Sequence, residues 1–234
     1  MMTGESDRSP VYSYMENPSM VDYPGHLSAV FFLSGCNFTC GFCHNATLMG
    51  RKRKGISWDE LRDACQHFKS DWVDGVVVTG GEPTLDPHLI DLLDFFKGFG
   101  FKVKLDTNGS QPAVLRECIA HIDSCAMDVK TTLEGYPELA GYSQTGNIEE
   151  SIKTIIASDI EYELRTTVIE GVHTPATIAN IARLIEGARR YRLQPFVPRD
   201  NLPDPHFRGI ARTSPELIEE CVRAAEPHVE EVLA

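Results

Sequence analysis

The sequence predicts an α/β fold of parallel strands, arranged as an open partial (βα)6 barrel of the TIM type. Two observations carry that expectation. Short β-rich runs alternate with amphipathic helical runs along most of the 234 residues, a pattern that implies parallel strands joined by right-handed crossovers. Six such units are legible, whereas a complete barrel needs eight. A flat doubly wound sheet fits the same alternation.

Residues 1–18 are polar and read as a mobile N-terminal arm. The remainder, 19–234, reads as one domain with its core over about 26–198 and a C-terminal helix near 215–225. Strand-like runs fall at about 28–34, 75–79, 101–106, 124–129, 161–168 and 191–196. Helical runs fall near 57–69, 86–98, 111–121, 147–158, 175–190 and 215–225. Ser57 with Glu60 forms a capping box. Asp86-Pro87, Thr174-Pro175 and Ser214-Pro215 each set a capping side chain before a proline at the first helical position. Leu89, Leu92, Leu93 and Phe96 share one helical face, as do Ile178, Ile181, Ala182 and Ile185.

A net charge of −12 argues against nonspecific nucleic-acid binding, which needs a basic face to displace phosphate counterions. The basic run Arg51-Lys52-Arg53-Lys54 reads as a solvated loop, with docking of an acidic partner as its functional alternative. Seven cysteines without an apolar signal core suit a reducing, cytoplasmic setting where thiols serve metals or catalysis. No stretch approaches the ~20 apolar residues of a membrane span. A P-loop, a dinucleotide fingerprint and a nucleophile elbow are all missing from the sequence.

The informative stretch is Gly35-Cys36-Asn37-Phe38-Thr39-Cys40-Gly41-Phe42-Cys43-His44-Asn45, directly after an apolar strand-like run. Three thiolates spaced C-x3-C-x2-C can hold three corners of a [4Fe–4S] cubane and leave one iron open to an outside ligand. A zinc site with His44 as fourth ligand is the plainer alternative, but Cys43 and His44 are adjacent, closer than structural zinc ligands usually stand. Cys65, Cys118, Cys125 and Cys221 fall on apolar helical faces or in a strand and read as core residues.

Further polar residues gather at strand ends, where ligands of parallel α/β folds bind. Thr79-Gly80-Gly81-Glu82-Pro83 follows the second strand, and its glycines permit close backbone approach. Asp106-Thr107-Asn108-Gly109 follows the third, and Met127-Asp128-Val129-Lys130 the fourth, with Asp128 and Lys130 on one side. Arg165, inside the fifth strand, needs an acidic or polar partner. Gln194 lies in the sixth.

The cysteine motif with Phe42 before its last cysteine resembles the signature of the radical S-adenosylmethionine (SAM) superfamily. Val21-Asp22-Tyr23-Pro24-Gly25, Phe32 to Phe38 and Cys43-His44-Asn45 resemble the activating proteins of glycyl-radical enzymes, in particular those of anaerobic ribonucleoside-triphosphate reductase. The resemblance spans about Ser19 to Pro198. It implies one [4Fe–4S] cluster on Cys36, Cys40 and Cys43, with SAM on its open iron. Phe42 and His44 would lie beside these groups, Gly80, Gly81 and Glu82 would form the motif for the SAM amino group, and Lys130 would meet the SAM carboxylate. Asp106, Thr107, Asn108, Asp128 and Arg165 would surround SAM, Gln194 would touch its ribose or adenine, and a monovalent cation would sit near Asp106 and Asp128. The implied partners are a glycyl-radical enzyme as protein substrate and flavodoxin or ferredoxin as electron donor. A pyruvate formate-lyase-type activating enzyme, a radical SAM enzyme acting on a deazapurine precursor and a zinc-stabilised binding module remain as alternatives.

Overall fold

The structure, a computed structural model, describes residues 8–234. Its elements in chain order are β1 (Val11–Tyr14), β2 (Ser28–Leu33), α1 (Trp58–Ser70), β3 (Gly75–Gly80), α2 (Leu89–Gly98), β4 (Lys102–Thr107), α3 (Pro112–Cys118) and β5 (Ser124–Asp128). There follow α4 (Tyr136–Leu139), α5 (Thr145–Ile156), β6 (Glu161–Val168), α6 (Pro175–Leu184), β7 (Tyr191–Pro195), α7 (Pro205–Arg208), α8 (Pro215–Ala225) and β8 (Val232–Leu233). The strands follow one another through the sheet in chain order, which makes an open partial barrel whose six βα units run from β2 to β7. β2, β3 and β4 pair in parallel, as do β6, β7 and β8.

Contacts divide the chain into two compact units. The first holds residues up to Asn37, Leu48–Thr107 and Ala113–Cys125; the second holds Phe38–Thr47, Asn108–Pro112 and Ala126–Ala234.

In the first unit β1 pairs antiparallel with β2, and the Ser9 amide donates to the Ile56 carbonyl. The arm expected to be mobile is therefore structured over Val11–Tyr14, while residues 1–7 lie outside the described residues. Its strand is four residues long with a mixed burial pattern, so only the edge of β2 reveals it. The Ser57–Glu60 capping box forms at α1. Leu61, Ala64, Cys65 and Phe68 bury one face of that helix, as their spacing dictates. α1 closes in a Schellman turn, with Trp72 N–H donating to Lys69 and Val73 N–H to Phe68. Trp72 occupies the glycine position of that turn at φ 63° and is 88% exposed. Asp86 does not cap α2 as expected. Its carboxylate accepts from His88 N–H at 3.0 Å and pairs with Lys52 at 2.6 Å, so the chain turns once more and the helix starts at Leu89. The basic run is thereby partly spent on internal contacts: Arg53 also stacks on Tyr12, 5.4 Å from the ring centroid.

In the second unit Thr174 and Ser214 cap α6 and α8 before their prolines, and α8 packs on α6. α6 ends at Leu184, short of the expected 190, because Gly187 adopts φ 82° and turns the chain toward β7. Alternation along β6 sends Tyr162, Leu164, Thr166 and Val168 into the core and leaves Glu163, Arg165 and Thr167 on the other face. No helix among the described residues is long and apolar enough to cross a membrane.

Candidate functional site

The turn after β3 belongs to the first unit and is built from backbone. Gly81 N–H donates to the Leu33 carbonyl at 2.9 Å and Glu82 N–H to the Gly35 carbonyl at 2.8 Å. A Cβ on Gly80 would lie 2.1 Å from the Leu33 oxygen, and one on Gly81 2.1 Å from the Gly35 oxygen. Gly80 also adopts φ 128°, so the pair is glycine for both sterics and conformation. The turn thus rests directly on the backbone that leads into Cys36. Glu82, 2% exposed, is an internal bracket: its carboxylate accepts from Thr84 N–H at 3.0 Å, from the Thr84 hydroxyl and from the Thr107 hydroxyl at 2.7 Å. Nearby in β4 the buried Lys104 ammonium stands 3.1 Å from Asp106 and donates to the Asp22 carbonyl at 2.7 Å. The Val21–Gly25 stretch is thereby tied under β4, and its Tyr23 packs on Val30 and Val77.

In the second unit, Phe38 of the cysteine loop meets Tyr142 at 4.7 Å between ring centroids, and Thr39 N–H donates to the Ala140 carbonyl. A Cβ on Gly41 would fall within 2.7 Å of Asp204 and 2.8 Å of the Phe207 ring, because α7 lies against this loop. Phe42 is buried against Phe207 at 5.5 Å. The tail after Pro198, opaque in sequence, is thus a buttress of the cysteine loop. Asp204-Pro205 repeats the cap-then-proline signal and marks the helix, though no local pattern gives its docking. His44 Nε2 bonds the Val197 carbonyl at 2.9 Å, which puts its hydrogen on Nε2 and leaves only Nδ1 for another ligand.

Charged side chains run in alternating sign across β7, β6 and β5. Arg192 meets Glu163 at 2.9 Å, Glu163 lies 3.9 Å from Arg165, Arg165 meets Asp128 at 2.8 Å, and Asp128 meets Lys130 at 2.8 Å. Arg165 has the acidic partner its strand position demands. Burial would raise the Asp128 carboxyl, but Arg165 and Lys130 outweigh it and hold the group well below the usual carboxylate range. Burial would lower the Lys130 ammonium; the Asp128 carboxylate, with the Cys40 and Cys43 sulfurs, keeps it above its ordinary value. That ammonium also lies 6.0 Å from the centroid of the Phe42 ring. Burial pushes the Cys43 thiol up, while Lys130 pulls the other way.

Asn108 folds an Asx turn onto Ser110 N–H at 2.9 Å, and Gln194 sits in register with Thr167. The expected cluster ligands divide, Cys36 falling in the first unit and Cys40 and Cys43 in the second. None of the seven cysteines, all among the described residues, is in a disulfide, and Cys65, Cys118, Cys125 and Cys221 are fully buried. Burial pushes the Cys65 and Cys118 thiols up to about 12 and Cys221 to about 11, in keeping with inert core residues. Among the described residues no group of three or more His, Cys, Asp or Glu side chains is placed to hold one metal ion. A cubane does not require such a group, since each cysteine binds a different iron. A cation beside Cys40 and Cys43 fits an anionic, thiolate-held group.

Residues 30–185 match the model of the radical SAM superfamily. A candidate glycyl-radical enzyme activating enzyme of Methanocaldococcus jannaschii is 32% identical over 223 residues, covering 92% of this chain and 91% of that protein. The 7-carboxy-7-deazaguanine synthase of Neisseria meningitidis is 38% identical over 88 residues, 37% of this chain and 39% of that protein. The crystal structure of Streptococcus suis SuiB bound to S-adenosylmethionine superposes with a TM-score of 0.66 over 89% of this chain, at 15% identity, and this chain spans about 52% of its length. With its cysteine motif, its open parallel sheet and a family match over most of its length, the chain belongs to the radical SAM superfamily and is a radical enzyme of the oxidoreductase type.

Proposed function

We propose that the chain is a glycyl-radical enzyme activase within one radical SAM domain over residues 19–234, with anaerobic ribonucleoside-triphosphate reductase as its partner. Similarity to a candidate activating enzyme along nearly the whole of both chains supports the activase, and the choice of reductase rests on the sequence resemblance around Val21–Gly25 and the cysteine motif. Cys36, Cys40 and Cys43 hold the cluster, with Phe42 and His44 packed around it. When bound and reduced, the cluster with SAM supplies a 5′-deoxyadenosyl radical that takes hydrogen from a glycine Cα. The protein's own task is placement. The Gly80–Gly81 turn, stiffened by Glu82, receives the SAM amino group, and Lys130 receives the carboxylate. Asp128 and Arg165 hold Lys130 in line, Asp106, Thr107 and Asn108 border the same cofactor with a monovalent cation near Asp106 and Asp128, and Gln194 meets the nucleoside. Flavodoxin or ferredoxin delivers the electron in a cytoplasmic setting.

A second reading, a small-molecule radical SAM enzyme acting on a deazapurine precursor, draws on the shorter match to a deazaguanine synthase. One experiment separates them. Cluster-loaded protein, SAM and reductant are mixed with anaerobic ribonucleoside-triphosphate reductase deuterated at its radical glycine. The activase reading expects deuterium in 5′-deoxyadenosine and a persistent electron paramagnetic resonance signal on the reductase. Hydrogen transfer needs reacting atoms within about 3–3.5 Å, which only a docked glycine loop provides. A parallel reaction with a deuterated deazapurine precursor in place of the reductase that delivers label into 5′-deoxyadenosine, while the reductase gains no radical, would replace the activase by the second reading.

A further inference from the structure

Lys130 lies two residues beyond the end of β5, past the backbone bond in which Val129 N–H donates to the Arg165 carbonyl and the side-chain bond in which Thr166 Oγ1 donates to the Val129 carbonyl. A main chain leaving a sheet at this point would ordinarily find water for its polar groups. Here both are taken by buried side chains from two other segments. The Lys130 N–H donates to the Tyr136 hydroxyl at 3.0 Å, at the start of α4. The Lys130 carbonyl meets His173 Nε2 at 2.9 Å, from the loop between β6 and α6. Tyr136 is fully buried and His173 is 1% exposed.

The imidazole has a defined tautomer. Its Nδ1 accepts from Ile169 N–H at 3.1 Å, so Nε2 carries the hydrogen and donates to Lys130. Burial holds His173 below its ordinary pKa, in the neutral form that this pattern needs. The Tyr136 ring meets Phe38 of the cysteine loop edge-on at 6.0 Å, so the same residue touches both the loop and the lysine. Burying a phenol and an imidazole to secure one residue's backbone is economical only where that residue's position matters. The Lys130 side chain is steered by its ion pair with Asp128, itself held by Arg165, and a flexible four-carbon stem gains direction only if its root is fixed.

We infer that Tyr136 and His173 are positioning residues that clamp the Lys130 backbone from both sides and thereby aim its ammonium at the ligand. This rests on the reading of Lys130 as a SAM contact. The test is a double-mutant cycle on anaerobic, cluster-loaded protein, with SAM affinity measured by equilibrium dialysis and with iron content and melting temperature followed alongside. Tyr136→Phe keeps the buried ring and deletes one hydrogen bond, so SAM binding should weaken about three- to tenfold. In a Lys130→Met background the same change should cost less than about twofold, since the clamp then has nothing to aim. His173→Ala should behave in the same way; if it fails to fold, Tyr136→Phe carries the test alone. Equal losses in both backgrounds, or no loss in the wild-type background, overturn the clamp. Unchanged SAM affinity in Lys130→Met overturns instead the reading on which the clamp rests.

Discussion

The turn after β3 and the strand end after β5 make their positions in opposite ways. At Gly80–Gly81 the main chain lies against the main chain of Leu33–Gly35, and the requirement is for space. At Asp128–Lys130 the positions come from ionised and polar side chains drawn from β6, α4 and the loop before α6. A backbone contact leaves a local trace, because only glycine satisfies it. A side-chain network leaves only part of one: Asp128, Lys130 and the need of Arg165 for a partner are legible in sequence, but which residues meet them, Tyr136 and His173 included, is not.

The largest expected effect breaks the first region. Gly81→Ala puts a methyl 2.1 Å from a backbone oxygen that no rotamer can move. The turn should separate from the Leu33–Gly35 backbone, destabilising the protein by about 4 kcal/mol or more, the range of outright backbone or network failures. Thermal melts check this, and a melting temperature within a few degrees of wild type would show that the contact is pliable.

Asp128→Asn attacks the second region. Arg165 and Lys130 then face each other with no carboxylate between them. Breaking one side of a buried pair costs about 3–5 kcal/mol; with Asp128 30% exposed, about 2–4 kcal/mol is expected. Asp128→Glu should recover part of the loss, and chemical denaturation curves report both.

Acid offers a gentler probe of the same region. His173 has its folded pKa depressed below the ordinary 6.5, so the folded state binds fewer protons than the unfolded chain. Its contribution is complete above about pH 6.5 and is lost as pH falls below that value toward the folded pKa. Stability measured between pH 7 and pH 5 should decline, and His173→Gln should flatten the decline. A slope in the glutamine variant equal to wild type would assign it to other groups.

The smallest expected effect sharpens the backbone side of the comparison. Trp72 holds φ 63° at the glycine position of a Schellman turn and is 88% exposed. If steric demand alone ruled such sites, Trp72→Gly should stabilise the protein by about 1 kcal/mol. A loss on substitution would mean that the indole makes contacts in the folded chain that outweigh its backbone strain.

The contrast explains what could be read in advance. The six parallel strands, the capping box at Ser57, the caps at Thr174 and Ser214, and the glycine turn all arise from short-range rules of periodicity, capping and φ. The same signals misplaced the start of α2, because Asp86 spends its carboxylate on Lys52 and on the turn at His88. β1 went unread because its pairing partner stands some way along the chain and its own pattern is brief.

Spacing, periodicity and composition were enough for the alternation of strands and helices, the cysteine spacing that marks the family, the four core thiols and the need for glycine after β3. The folded chain was needed to reveal that α7 braces the cysteine loop, that Lys104 ties the Val21–Gly25 stretch to β4, and that Tyr136 and His173 hold Lys130. The first group depends on residues a few positions apart, whose geometry the local backbone dictates. The second joins residues up to 163 positions apart, as from Gly41 to Asp204, and folding alone determines which of them meet.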